Sequence, residues 1–301
     1  RTRIEMHTAG DILMDQRNSS WKWIPLLRYN TGLILLQDNG TPTISHDDKV
    51  SYRTSWIDQN QKQVLPGTIH TIAQDGYHTL WIGTSSGIVV IPAAYDFTNS
   101  NRCIRVVIPR NDGTMLGDYL LDNEQVNDIQ IDAANRLWVA TATSGVYLLK
   151  QVGDILDPHY TVETVAHFTT ENSILPSNNV LSIAIHPHSG EVFFGTGAGL
   201  VSYMSDATRP ADDFSTLYAY PNPVVPSYQG QVMFQGTIDQ SVIRIVDASG
   251  QVIRVVESQG GTAVWDMKHT LGKRVSTGVY TAICNSADGV QHGSTKVLII
   301  N

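Results

Sequence analysis

Residues 129–145 (IQIDAANRLWVATATSG) run an apolar strand through a polar turn and an aromatic-bearing strand to a glycine, and the chain writes this unit four times. Set against it, residues 72–87 read IAQDGYHTLWIGTSSG, residues 183–199 read IAIHPHSGEVFFGTGAG and residues 12–32 read ILMDQRNSSWKWIPLLRYNTG. The aromatic anchors Trp23, Trp81, Trp138 and Phe193 stand 58, 57 and 55 residues apart, a near-constant period that unrelated strands would not produce. Each copy continues as a further strand, at 33–36, 88–91, 146–149 and 200–203. Strands joined by tight polar turns, such as Asp75-Gly76, form a β-meander. One such sheet cannot bury its own faces, so neighbours must stack. The radial stack of four-stranded sheets is a β-propeller, with the aromatic as the expected filler between blades.

The period exceeds the usual blade length of roughly 40 to 50 residues, which leaves room for insertions such as 108–123 on one binding face. Residues 49–57 (KVSYRTSWI) read as an outer strand of the next blade, and 102–109 (RCIRVVIP) and 159–168 (HYTVETVAHF) take the same place later. Leu65-Pro66-Gly67 and Leu175-Pro176-Ser177 lead into the innermost strand, where a missing amide donor costs nothing. Four blades are fewer than a propeller usually needs to close. Residues 1–208 are therefore expected to be part of a larger propeller, and the start at Arg1, without Met or signal peptide, to mark a fragment or mature remnant.

Residues 206–213 (DATRPADD) are small, charged and poor in apolar anchors, and read as a linker that permits separate movement. Beyond it, residues 217–301 give about seven short strands at 218–224, 232–234, 242–246, 252–256, 263–266, 279–284 and 296–300. Asp247-Ala248-Ser249-Gly250 makes a hairpin turn between two of them. About 85 residues of this kind predict an immunoglobulin-like β-sandwich over 214–301, so the whole chain is expected to be all-β.

With 301 residues, 42% hydrophobic content and 16% charge, the chain is expected to be a soluble two-domain protein. No stretch approaches the ~20 apolar residues of a membrane helix. A net charge of −8 and a pI near 5.6 argue against nucleic acid or an anionic membrane surface as an electrostatic partner. Cys103 and Cys284 fall in different predicted domains and are expected to be small buried hydrophobes, not a disulfide.

Gly83-Thr84-Ser85-Ser86-Gly87 satisfies the G-x-S-x-G pattern of serine hydrolases, whose mechanics need a helix after the turn. Here a strand follows, and the repeat places Ala142 and Gly197 where Ser85 stands. The motif reads as blade turn chemistry. Gly195, Gly197 and Gly199 also lead into a strand, not a phosphate-binding helix. His186-Pro187-His188 has no third ligand at metal spacing. Asp47-Asp48, 122–124 and Asp212-Asp213 lack the spacing of a calcium loop. No catalytic residue, cofactor site or metal ligand is predicted, and the chain reads as a binding protein.

Tyr220-Pro221-Asn222-Pro223-Val224, then 246–250 (VDASG), Trp265-Asp266, Gly272, 276–280 (STGVY) and 296–301 (KVLIIN) appear in order. Together they resemble the C-terminal domain of Bacteroidetes type IX secretion substrates. Met267 stands where that family usually has glycine. The repeat resembles "two-component regulator propeller" units, in which an Asp, a Trp and a Gly recur as in Asp132, Trp138 and Gly145, with Phe193 replacing Trp in the last copy. Repeats of that type followed by this tail resemble a surface component of the type IX system. The resemblance implies attachment to the outer face of the outer membrane, association with the sortase PorU and its partners, and delivery of anionic lipopolysaccharide for coupling to cargo. It implies no catalytic residue. A secreted, carbohydrate-active cargo with a sorting tail and the sensory propeller of a hybrid two-component receptor are the competing readings. The terminal strand 296–300 is expected either to dock a secretion partner through an open edge or to be an internal core strand.

Overall fold

A computed structural model describes residues 8–27, 31–41, 43–110 and 116–301. Every regular element among them is a β-strand in a small antiparallel sheet. The described residues divide into two units, one holding residues up to 131 with 135–184 and 193–202, the other 132–134, 185–192 and 203–301.

The repeat forms successive meanders, most of their residues in the first unit. Its first sheet runs Leu13–Met14, Trp21–Leu26, Gly32–Gln37, Lys49–Arg53. The second runs Ile69–Gln74, Leu80–Thr84, Gly87–Ile91, and the third Val126–Ile131, Leu137–Thr141, Val146–Val152, Thr161–Phe168. The fourth is Val180–Ile185, Glu191–Thr196, Gly199–Met204. Lys49–Arg53 pairs with Gly32–Gln37, so it completes the blade it follows, which corrects the sequence reading of 49–57 as an outer strand of the next blade. Thr161–Phe168 likewise pairs with Val146–Val152. Trp56–Ile57, at the end of the same predicted strand, instead pairs with Gln63–Val64.

Leu80–Thr84 and Gly87–Ile91 are buried at every position, because neighbouring sheets cover both faces. Trp23 shares a core with Ile82 of the following sheet, and Trp81 shares one with Val139 of the sheet after that. Trp138 in turn lies 5.7 Å from Phe194. Each tryptophan thus packs toward the residue one place after the anchor in the next sheet. That rule corrects the fourth anchor. Phe193 holds the equivalent register but is only half-buried, while Phe194, on the opposite face of the strand, is the buried ring.

Two of the interlocks have a carboxylate beneath them. Trp23 Nε1 donates to Asp15 Oδ2 at 3.0 Å, and Trp81 Nε1 donates to Asp75 Oδ2 at 2.9 Å. Asp75 is fully buried and also accepts the Tyr77 and Thr79 amides and the Gln151 side chain. In the fourth copy Phe193 cannot donate, and the position six residues earlier is Pro187. The turns repeat as well: Thr84, Thr141 and Thr196 hydroxyls donate to the carbonyls of Gly87, Gly145 and Gly199. Gly145 has φ 78°, and a Cβ there would stand 2.1 Å from the Phe168 carbonyl oxygen, so no other residue fits.

Burial raises the pKa of Asp15, but hydrogen bonds from Arg17 and Trp23 and the charge of Arg17 outweigh it and hold the carboxyl at about 2. A depressed folded-state pKa adds stability that is fully present above the unfolded value near 4 and is lost as pH falls toward 2. Asp15→Asn should therefore cost about 2 kcal/mol at pH 7 and flatten acid unfolding between pH 4 and 2, as read by urea titrations across that range.

In the second unit, one sheet orders Val252–Glu257, Val242–Val246, Gly278–Asn285, His292–Ile299, and another orders Tyr218–Tyr220, Val232–Gln235, Thr262–Trp265. Both contribute to one core, with Phe234 and Trp265 from the shorter sheet and Ile243, Ile245, Ala282, Val297 and Ile299 from the longer. Trp265 packs edge-on to Tyr280 at 5.5 Å and donates from Nε1 to the Lys268 carbonyl. Met267 has φ 56°, the left-handed region where glycine costs least, and its side chain is fully buried in the core. Burial of the thioether compensates for the backbone that a glycine would have relaxed.

The segment read as a linker is pinned to this second unit. Thr208 forms a parallel bridge with Gly260, accepts the Gly261 amide at 2.7 Å and meets the Thr262 hydroxyl at 2.7 Å. The Ala211 amide donates to the Thr237 carbonyl, and Ala207 is buried. Main-chain bonds hold a stretch that has few apolar anchors.

Candidate functional site

Ser85 occupies the two-residue turn between Leu80–Thr84 and Gly87–Ile91. Its hydroxyl accepts the Thr68 amide at 3.2 Å and donates to the Pro66 carbonyl at 3.4 Å, which ties the turn to the preceding prolyl loop. This is the geometry of a hairpin, not of a nucleophile elbow. His186 and His188 lie 5.9 Å apart in a turn, with His186 Nδ1 near the Ser189 hydroxyl. No group of three metal-ligating side chains occurs among the described residues. The acidic stretches are bound locally. Asp47 accepts the Thr41 hydroxyl, Asp122 pairs with Arg105, Glu124 accepts Thr143 and Ser144, and Asp213 caps the Ser215 amide.

Both cysteines are buried and free, in different units. Burial pushes each thiol up to about 12; at Cys103 the Asp58 charge adds to this and Arg105 opposes it. A thiol-disulfide reagent at pH 8 should label neither residue in the native chain and both after denaturation. Fast native labelling would contradict this burial.

Sequence reasoning missed a polar cavity of about 250 Å³ in the first unit. Asp58, buried, accepts the Asn60 and Lys62 amides at 2.9 Å each and the Tyr119 hydroxyl at 3.1 Å. The Arg105 guanidinium lies 4.0 Å over the Tyr119 ring and pairs with Asp122 at 2.6 Å. These acids already have partners, so the arrangement suits recognition of a polar ligand better than proton transfer. Tyr119 belongs to the long insertion at 108–123, the one signal in the sequence that pointed here.

The terminal strand lies at a sheet edge, but the edge of its last residues is covered. Val224 donates to the Leu298 carbonyl and accepts the Ile300 amide, while the Asn222 side chain bonds the Lys296 carbonyl and the Leu298 amide. The Tyr-Pro-Asn-Pro-Val stretch therefore closes the edge that the sequence left open, and Val297 and Ile299 face the core.

No protein-family model matches the chain, and no curated protein matches it. Among solved structures, PorZ of Porphyromonas gingivalis, an essential bacterial surface component of the type IX secretion system, aligns over 98% of this chain at 27% identity and a TM-score of 0.65. This chain is similar to PorZ. It spans 39% of the PorZ chain, so the likeness to PorZ takes in both units here and about two-fifths of that protein. The extracellular domains of two hybrid two-component systems of B. thetaiotaomicron align over 96% and 97% of this chain, and 56% and 38% of theirs. Their identities are 14% and 12%, with TM-scores of 0.40 and 0.38, well below the PorZ values.

Proposed function

We propose that this chain is part of a non-enzymatic, PorZ-like surface component of a type IX secretion system. The observation that carries the reading is the alignment with PorZ across 98% of the chain, blades and tail together. Residues 1–208 serve as blades of a larger propeller and 214–301 as an immunoglobulin-like sandwich that acts as the type IX C-terminal domain. Two sheets around one core, and a motif stretch that hydrogen-bonds the last strand, support that assignment of the tail. The component sits on the outer face of the outer membrane, works with the sortase PorU and its partners, and delivers anionic lipopolysaccharide to cargo. Among the described residues no helix is long and apolar enough to cross a membrane.

Deleting the gene in the source bacterium should leave type IX cargo unattached and still carrying its sorting tails. Normal surface attachment in the deletion strain would refute the reading. The non-enzymatic part has its own test, because the Ser85 hydroxyl is engaged with backbone groups. A fluorophosphonate probe should not label Ser85, and covalent capture there would overturn it.

A further inference from the structure

The polar cavity of the first unit is lined from residues 58–66, 84–89, Arg105 and 119–123. Lys62, Ser86, Asp122 and Asn123 of that lining are exposed, so the cavity opens to solvent. Val64, Pro66 and Val89 give it an apolar wall, which strengthens a hydrogen bond made beside it.

Its acceptors are largely committed. The buried Asp58 carboxylate takes the Asn60 and Lys62 amides and the Tyr119 hydroxyl, while Asp122 takes Arg105 and the Asn123 side chain. The Thr84 hydroxyl accepts the Ser86 amide and donates to the Gly87 carbonyl. The donors are not committed. Lys62 Nζ and the Ser86 hydroxyl, both on exposed residues, hydrogen-bond no group among the described residues. The Arg105 side chain, 16% exposed, gives one nitrogen to Asp122 and hydrogen-bonds nothing else among them. That ion pair and the Tyr119 ring, 4.0 Å beneath the guanidinium, hold the fork in place, so its unused N–H groups are preorganised. Of the two cations in the lining, Arg105 has an acid beside it, and Lys62 pairs with none among the described residues.

Unused donors on two cations and a hydroxyl, around an opening with an apolar wall, match a ligand group that brings only acceptors. We infer that this cavity binds one compact oxyanion, a carboxylate or phosphate carried by a larger ligand, with Lys62 and Arg105 as its charged donors and Ser86 as the neutral one. A volume of about 250 Å³ admits that group with roughly one attached ring. The inference does not rest on the secretion reading and can fail without it.

The test is a chemical-shift titration of the whole chain with sodium glucuronate, glucose 6-phosphate and glucose at constant ionic strength. At least one of the two anionic sugars should move the Ser86 and Asn123 amides in a saturable way and bind about tenfold more tightly than glucose. The tighter of the two names the group. Lys62→Gln should weaken that binding about tenfold without changing the circular dichroism, since the side chain is exposed. Arg105→Lys keeps the charge but loses the fork, and should weaken it by a smaller factor. Lys150→Gln, at an exposed lysine outside the cavity, should leave it unchanged. Binding of neither anion, glucose binding as tightly as the anions, or affinity that survives Lys62→Gln would overturn the assignment.

Discussion

Trp81→Ala is expected to destabilise the first unit by about 3 to 5 kcal/mol, whereas Phe193→Ala should cost about 1 kcal/mol or less. The two residues share a register in the repeat but not an environment. Trp81 is fully buried between sheets and bonded to Asp75, while Phe193 is half-exposed and has no indole to donate. Asp75→Ala should approach the tryptophan loss, since it leaves two amides, an indole and a glutamine without their acceptor in a buried site. The changes should also be strongly coupled, because Trp81→Phe already removes one of those donors. Urea unfolding read with hydrogen exchange at Leu80–Thr84 and Gly87–Ile91 measures all of these. Equal losses for Trp81→Ala and Phe193→Ala would contradict the interlock between successive sheets.

Removing residues 295–301 should unfold the second unit outright. The deletion takes away Val297 and Ile299, both fully buried, and the part of the last strand that pairs with residues 278–282. Two core truncations at about 2 to 5 kcal/mol each, plus the lost ladder, rival the roughly 5 to 15 kcal/mol that holds a whole domain. Loss of the near-ultraviolet signal of Trp265 and rapid proteolysis within 214–301 are the expected readouts. A truncated chain that kept both its signal and its protease resistance would show that the strand is a dispensable edge.

The repeat was legible because it is written in local pattern. Alternating apolar residues, a fixed aromatic and a turn glycine recur at one period, and none of these needs a distant partner to be recognised. What pairs across distance was not legible. Lys49–Arg53 is separated from Gly32–Gln37 by a polar loop, so nothing near it says which blade it closes. At Phe193 and Phe194 two adjacent aromatics face opposite ways, and only the position of Trp138 decides which is buried. Residues 206–213 looked like a linker by composition, yet their anchoring runs through amides and carbonyls that every sequence possesses.

Whether this chain belongs, as proposed, to a resident component of the secretion surface or to exported cargo is decided by the fate of its tail. Tryptic peptides of the surface-extracted protein give the answer, because Arg274 and Lys296 bracket a peptide, residues 275–296, that lies wholly within the C-terminal unit. A resident component should yield this peptide in the same molar amount as peptides from residues 8–208. Surface protein that keeps the blade peptides but has lost residues 275–296 would contradict it and place the chain among the cargo.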